Sequence, residues 1–377
     1  MLILAMSYIV FFVGCVLLLN GRGINERQDK IIWGLMVFAL AMIAFLFDPA
    51  GTGLDVVRHF QRIEIIRDTN ISFDKYVLHN SFGYSGMYVF NAVCYFIAKL
   101  NMSNHILPFI VTLISYGLCF YILRDWSEQE SIDRRYYALS VLIGFAFLPY
   151  YFVMCGIRNG VAMCIMGFAI YEYLYKRKSF SNFLILGAIA ATIHTSVLIA
   201  VPFVLLSKLK LSYKSIGIVF IGSFVLGTVA KALSKMKIPY LTEMAKSYLI
   251  YSSDGQFRSA QYFLTTDIIL IALFAVLLFC QYSKYLVLQN EGRNIRLYSF
   301  ITLYGAYIVG NFGNYDLVLR PAYLLGSLSP MLGYLLYNGD YWKDKANAQL
   351  AVKIFVLLLC GYTVARYMAF FFTSVNF

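Results

Sequence analysis

The sequence predicts an all-α polytopic integral membrane protein. Of its 377 residues 60% are hydrophobic and only 13% are charged, whereas a soluble domain is about a quarter charged. The mean hydropathy is +0.70. Apolar runs of roughly 17–25 residues recur along the whole chain, each the length of a helix that crosses a bilayer core. No polar segment between them is long enough to bury a core of its own, so residues 1–377 read as a single transmembrane domain. About eleven to twelve membrane segments are expected. The lipid bilayer is therefore the first partner the composition implies.

The net charge of +12 does not indicate nucleic acid. About half of the basic residues fall in short loops between apolar runs, where positive-inside bias collects them. That bias orders the chain. Leu2 to Leu19 is the first span; it lacks the charged n-region and small-residue cleavage site of a signal peptide. Arg22, Arg27 and Lys30 mark the next loop as cytoplasmic, and residues 31–47 return outward. Residues 48–105 form an external loop with short helices. In it, Asp55, Arg58, His59 and Arg62 recur at i, i+3, i+4 and i+7, one helical face. An ordinary exposed helix shows the same pattern.

Residues 83–100 are apolar enough to span. Counted as a crossing, however, they put the basic loop 124–135 and the knot Lys176-Arg177-Lys178 outside. They are therefore expected to form a re-entrant or interfacial helix. Residues 106–123 go in, 138–155 go out and 160–174 go in. Over residues 183–206, Lys208, Lys210 and Lys214 demand a turn back near His194, leaving arms of about a dozen residues, too short to cross. Broken helices of this kind persist in membranes only where protein or a wet cavity satisfies the backbone. Residues 215–233 go out to an external loop, 234–261. Residues 262–280, 297–312, 321–337 and 350–371 complete the spans, with the C-terminus outside.

On this topology Arg158, Arg258 and Arg320 emerge at one membrane face from separate segments, and Arg58 joins them from the earlier loop. Each could simply snorkel to the interface. Together they suit an anion, because a guanidinium is a planar fork of donors that stays charged when partly desolvated. His194 is expected on the same face. A membrane histidine can serve only to bond a neighbouring helix, but an imidazole there can also act as a general base. Asp55 is the other candidate base. The 31 tyrosines and 32 phenylalanines are mostly interfacial belt. No GxxxxGK[ST], HExxH or GxSxG motif occurs, and the seven cysteines form no CxxC pair. Neither a metal nor a cofactor is indicated.

The segment IRNGVAMCIMGFAIYEYLYKRKSFSNFLILGAIAATIHTSVLIAVP, residues 157–202, resembles the EpsG-like group of Wzy-type polysaccharide polymerases. In that group an arginine precedes an Ala-containing span, a basic turn follows, and the next span ends in His-x-Ser before a proline. Arg158, Ala162, Lys176-Arg177-Lys178, His194, Ser196 and Pro202 keep that order. The run from Gly51 to Asp55, GTGLD, looks like the group's GTD element with an insertion. Gly83-Tyr84 sits where the group has an acidic-Pro-Gly turn. Asn159 stands in place of the usual Gln, and Asn80-Ser81-Phe82 lacks the acidic-Pro part. Matches cover residues 51–202; the C-terminal half agrees in topology and in an external arginine, Arg320.

The resemblance implies a GT-C-like glycosyltransferase of the bacterial inner membrane, working on the periplasmic or outer face without metal. Its donor and acceptor would be undecaprenyl-pyrophosphate-linked oligosaccharides. Arg158, Arg258, Arg320 and Arg58 would hold pyrophosphates, and His194 or Asp55 would orient or deprotonate the acceptor hydroxyl. A chain-length regulator would be a protein partner. The product, O-antigen of lipopolysaccharide, capsule or exopolysaccharide, stays open. An O-antigen ligase is an alternative, although ligases carry a larger late external loop than 234–261. A polyprenyl-phosphate-sugar transferase would place an acidic pair soon after the first span, whereas here the acids follow the second. A flippase or transporter would carry internal repeats, and none is evident.

Overall fold

A computed structural model describes residues 2–233 apart from 20, 22–23, 50–54, 80–83, 132–136 and 210, then 295–338 apart from 312–314, and single positions between 350 and 365. The expected spans 262–280 and most of 350–371, with the loop 234–261, lie outside the described residues. What is described is helical: α1 Leu2–Leu19, α2 Glu26–Leu46, α3 Asp55–Asp68, α4 Tyr88–Lys99, α5 Ile106–Gln129, α6 Tyr137–Phe147, α7 Tyr150–Cys155, α8 Ile157–Ile170, α9 Phe180–Ile193, α10 Ala200–Leu206, α11 Tyr213–Leu233, α12 Ile295–Gly310 and α13 Tyr315–Asn338. Among the described residues, α2 and α5 are long and apolar enough to cross a membrane, and several shorter apolar helices accompany them. Val10, Leu17, Ile218, Ile221 and Phe224 lie largely exposed on helix faces, as lipid-facing side chains would. The chain is a helical membrane protein.

α2 starts where its sequence signals a start. Asn25 accepts the amide of Gln28 at 2.9 Å, and the Gln28 carboxamide accepts that of Asn25 at 3.1 Å, a capping box. Helices α2, α5, α6, α8 and α13 pack together around a core that includes Phe120, Tyr116, Met163 and Leu324. Lipid tails are as apolar as this core, so close packing rather than water exclusion holds such helices together. Gly326 shows how close it is. A Cβ there would overlap the Phe147 carbonyl oxygen, so α13 lies directly on the backbone of α6.

That carbonyl belongs to a break. The sequence predicts one continuous span over 138–155, but Pro149 divides it into α6 and α7. Proline has no N–H and turns the preceding residue away from helical geometry. The carbonyl of Leu148 instead accepts the Tyr116 hydroxyl at 2.6 Å. The other two irregular segments are a short helix and a broken one. α4 has 12 residues, about 18 Å of helix, too short to cross a hydrocarbon core of roughly 30 Å. It lies beside α3 in the same sense, with Phe90 against His59 at one end and Lys99 bonding the Ile66 and Thr69 carbonyls at the other. After α9 the backbone becomes extended at His194 and doubles back through a 3-10 turn into α10. Lys208 then stands over the rings of Tyr173 and Phe180, at 5.3 and 5.6 Å, back at the end where α9 began.

One end of the bundle carries a polar network. Buried Asp29 on α2 accepts Arg124 Nε from α5 at 2.8 Å, and Arg124 also pairs with Glu128. The Lys176 ammonium meets Asp125 at 3.0 Å, and Tyr171 donates to Asp125 at 2.6 Å. Arg158 begins α8 eighteen residues before Lys176, about 27 Å of helix and so close to one hydrocarbon thickness. The arginine cluster and this network therefore cap opposite ends of the same helices.

Candidate functional site

Arg158 is presented by a sharp junction. α7 ends and α8 begins at Gly156, where a Cβ would approach the Phe152 carbonyl oxygen to 2.7 Å. The next residue, Ile157, takes φ +24°, which β-branched residues rarely adopt. Strain of this sort persists where surrounding structure enforces it, and it collects at functional sites. Arg158 therefore enters in the first turn of α8, where the helix dipole already favours anions.

Its guanidinium lies over the ring of Tyr84. The Arg158 Cζ is 3.6 Å from the ring centroid, and the Arg62 Cζ from α3 is 3.7 Å from the same ring. Two cations on one phenol ring are held near each other by its π electrons despite their repulsion. Asn91 fixes Tyr84 by bonding both its amide and its carbonyl, at 3.1 and 2.9 Å. Arg158 Nη1 also donates to the Met87 sulfur at 3.0 Å. On the far side of Tyr84, its hydroxyl is 3.4 Å from Nδ1 of buried His59. Burial and then the charges of Arg158, Arg62 and Arg58 hold that imidazole well below its ordinary pKa.

The positive set extends across the bundle. Arg62, Arg320 and Arg58 all act electrostatically on Arg158. Arg320, near the start of α13, and Arg158 also act on the His194 ring. The structure thus brings Arg158, Arg320 and His194 into one electrostatic neighbourhood, with Arg58 at its edge. Arg58 is largely exposed and paired with Asp55. Arg258 lies outside the described residues.

His194 caps the 3-10 turn. Its Nδ1 accepts the Ser196 amide at 3.2 Å, with the Ser196 hydroxyl at 2.8 Å. A backbone amide can only donate, so in the neutral ring the proton resides on Nε2. The ring's free edge is then a hydrogen-bond donor.

Three residues of this neighbourhood were not singled out as site residues by the sequence: Arg62, Tyr84 and His59. Arg62 and His59 share the helical face with Asp55 and Arg58, but that face does not act as one. His59 joins Val56, Ile63 and Ile66 in the buried stripe, whereas Arg58 points away. Near the cluster, Arg62 Nη1, His59 Nε2 and Asn159 Oδ1 are among the buried polar atoms that have no hydrogen-bond partner among the described residues. Buried polar groups normally find partners, so these atoms mark where a polar ligand would be satisfied. Among the described residues no group of three or more His, Cys, Asp or Glu could hold a metal ion.

Set beside known proteins, residues 57–376 match a family model described as the EpsG family. The match takes in every arginine of the cluster and His194, and begins just after Asp55. No curated protein and no solved structure matches the chain.

Proposed function

Because the chain belongs to the EpsG family, with its polysaccharide-polymerase type of role, we propose that it polymerises oligosaccharide repeats carried on undecaprenyl pyrophosphate. The reaction forms a bond between an acceptor sugar hydroxyl and the donor's anomeric carbon. It breaks the bond from that carbon to the pyrophosphate, which leaves with the electron pair. The leaving group gathers negative charge as it departs, so donors set in advance around it lower the barrier. The observation that carries the reading is the stack of Arg62 and Arg158 on Tyr84, with Arg320 and His194 beside it.

In this reading Arg158 and Arg320 grip the pyrophosphate, with Arg258 and Arg58 as further contacts, and His194 donates to it through Nε2. Asp55 accepts the hydroxyl proton. The protein is a GT-C-like enzyme of about eleven to twelve membrane segments in the bacterial inner membrane. Its site faces the periplasm or exterior, and a chain-length regulator is its partner. Parity supports that sidedness: the basic network of Arg124 and Lys176 lies at the opposite bundle end from the arginine cluster, as positive-inside bias requires.

Deleting the gene tests the proposal. Collapse of the surface-polysaccharide ladder to single repeats, restored by the gene, supports polymerisation. Loss even of single repeats would place the protein upstream, in flipping or assembly. Long chains stranded on the carrier would make it a ligase.

A further inference from the structure

Beside the arginine cluster, between α3 and the π-helical turn Asp74–Leu78, lies a half-open cavity of about 250 Å³ lined by Arg62, Ile65, Ile66, Thr69, Ile71 and Tyr76. Tyr76 is fully buried, yet its hydroxyl has no hydrogen-bond partner among the described residues. Burial holds this phenol above its ordinary pKa, so it remains a protonated donor. Arg62 belongs to two places at once. Its guanidinium stacks on Tyr84 within the cluster, and its unpartnered Nη1 belongs to a residue that lines the cavity.

We propose that this cavity is a subsite for one sugar ring of the lipid-linked saccharide, with Arg62 joining it to the pyrophosphate site. The inference rests on the polymerase reading above and adds where a sugar is recognised. The chemistry of the walls selects the occupant. A lipid chain would suit the three isoleucines but leave the Tyr76 hydroxyl and Arg62 Nη1 desolvated and unpaired, which is costly. A free phosphate would suit Arg62 but not the isoleucines. A pyranose ring offers both surfaces: hydroxyl oxygens that accept from Tyr76 and Arg62, and a C–H face for the aliphatic wall. The volume falls below the roughly 300–1,000 Å³ of pockets for drug-sized molecules, which limits the occupant to a single ring.

The test compares two probes on the purified full-length protein in lipid nanodiscs. One is undecaprenyl pyrophosphate alone; the other carries the repeat unit isolated from the host strain. Wild type is expected to bind the sugar-bearing carrier more tightly. Tyr76→Phe removes only the buried hydroxyl and should erase that preference, about fivefold in affinity, while leaving the bare carrier's affinity unchanged. Ile65→Trp, on the exposed rim, should block the cavity with the same result, and it stands in if the first variant misfolds. Arg158→Ala should weaken both probes alike. An undiminished preference in both cavity variants would overturn the subsite and leave the cavity to water or a lipid chain. Wild type that binds neither carrier would instead overturn the pyrophosphate site itself, and the subsite with it.

Discussion

His194 offers the sharpest separation of roles, because its two ring nitrogens do different things. Nδ1 holds the turn by accepting the Ser196 amide at 3.2 Å, and Nε2 is left as a donor. An N-cap bond of this kind is worth about 1 kcal/mol. A donor aimed at charge developing in a transition state is worth ~10²–10³ in kcat, about 2.7–4 kcal/mol. His194→Ala loses both. His194→Asn keeps an oxygen where Nδ1 was, so it should retain stability yet lose ~10²–10³ in rate. His194→Gln carries an amide N–H close to where Nε2 was and should stay within about tenfold of wild type. The assay is ladder formation by purified protein from isolated lipid-linked repeats, with melting temperatures measured in parallel. If Gln falls as far as Ala while both remain folded, the ring works as a base and the donor assignment is wrong.

Other expectations follow from the same contacts. Tyr84→Phe keeps the ring between Arg62 and Arg158 and should retain most activity. Tyr84→Leu removes two cation–π contacts of roughly 0.5–2 kcal/mol each and should cost at least about fivefold in carrier affinity. Asp29→Ala leaves Arg124 with Glu128 as its carboxylate partner and its Nε unpaired, and should lower stability by about 1–3 kcal/mol, read as a melting shift without loss of chemistry in the protein that stays folded. His59 titrates in the unfolded chain near ~6.5 but is held neutral in the fold by burial and three arginines. The unfolded state therefore takes up more protons as pH falls, and stability should decline below about pH 6.5. His59→Gln should flatten that slope, and an unchanged slope would show that another group governs it. Gly326→Ala drives a methyl group into the Phe147 carbonyl and should reduce the yield of folded protein; wild-type yield and melting would refute the tight α6–α13 packing.

Local rules made part of this protein readable before any fold was known. Apolar run length settles that it is a helical membrane protein, because backbone groups in lipid must be satisfied within a helix. Charge parity alone required the chain to double back at His194 and kept residues 83–100 from counting as a crossing. The same bookkeeping put Arg158, Arg320 and His194 on one face. What it could not contain was the partner of each side chain. Tyr84 is separated from Arg158 by two spans and from Arg62 by a loop, and no periodicity links them; only the packing of the chain brings both cations to its ring. Nor could helical spacing separate Arg62 from Arg58. The two share a face in projection, and the rotation of α3 against α4 decides which one turns inward. Burial and pairing depend on all neighbours at once, whereas helix length and sidedness are summed residue by residue along the chain.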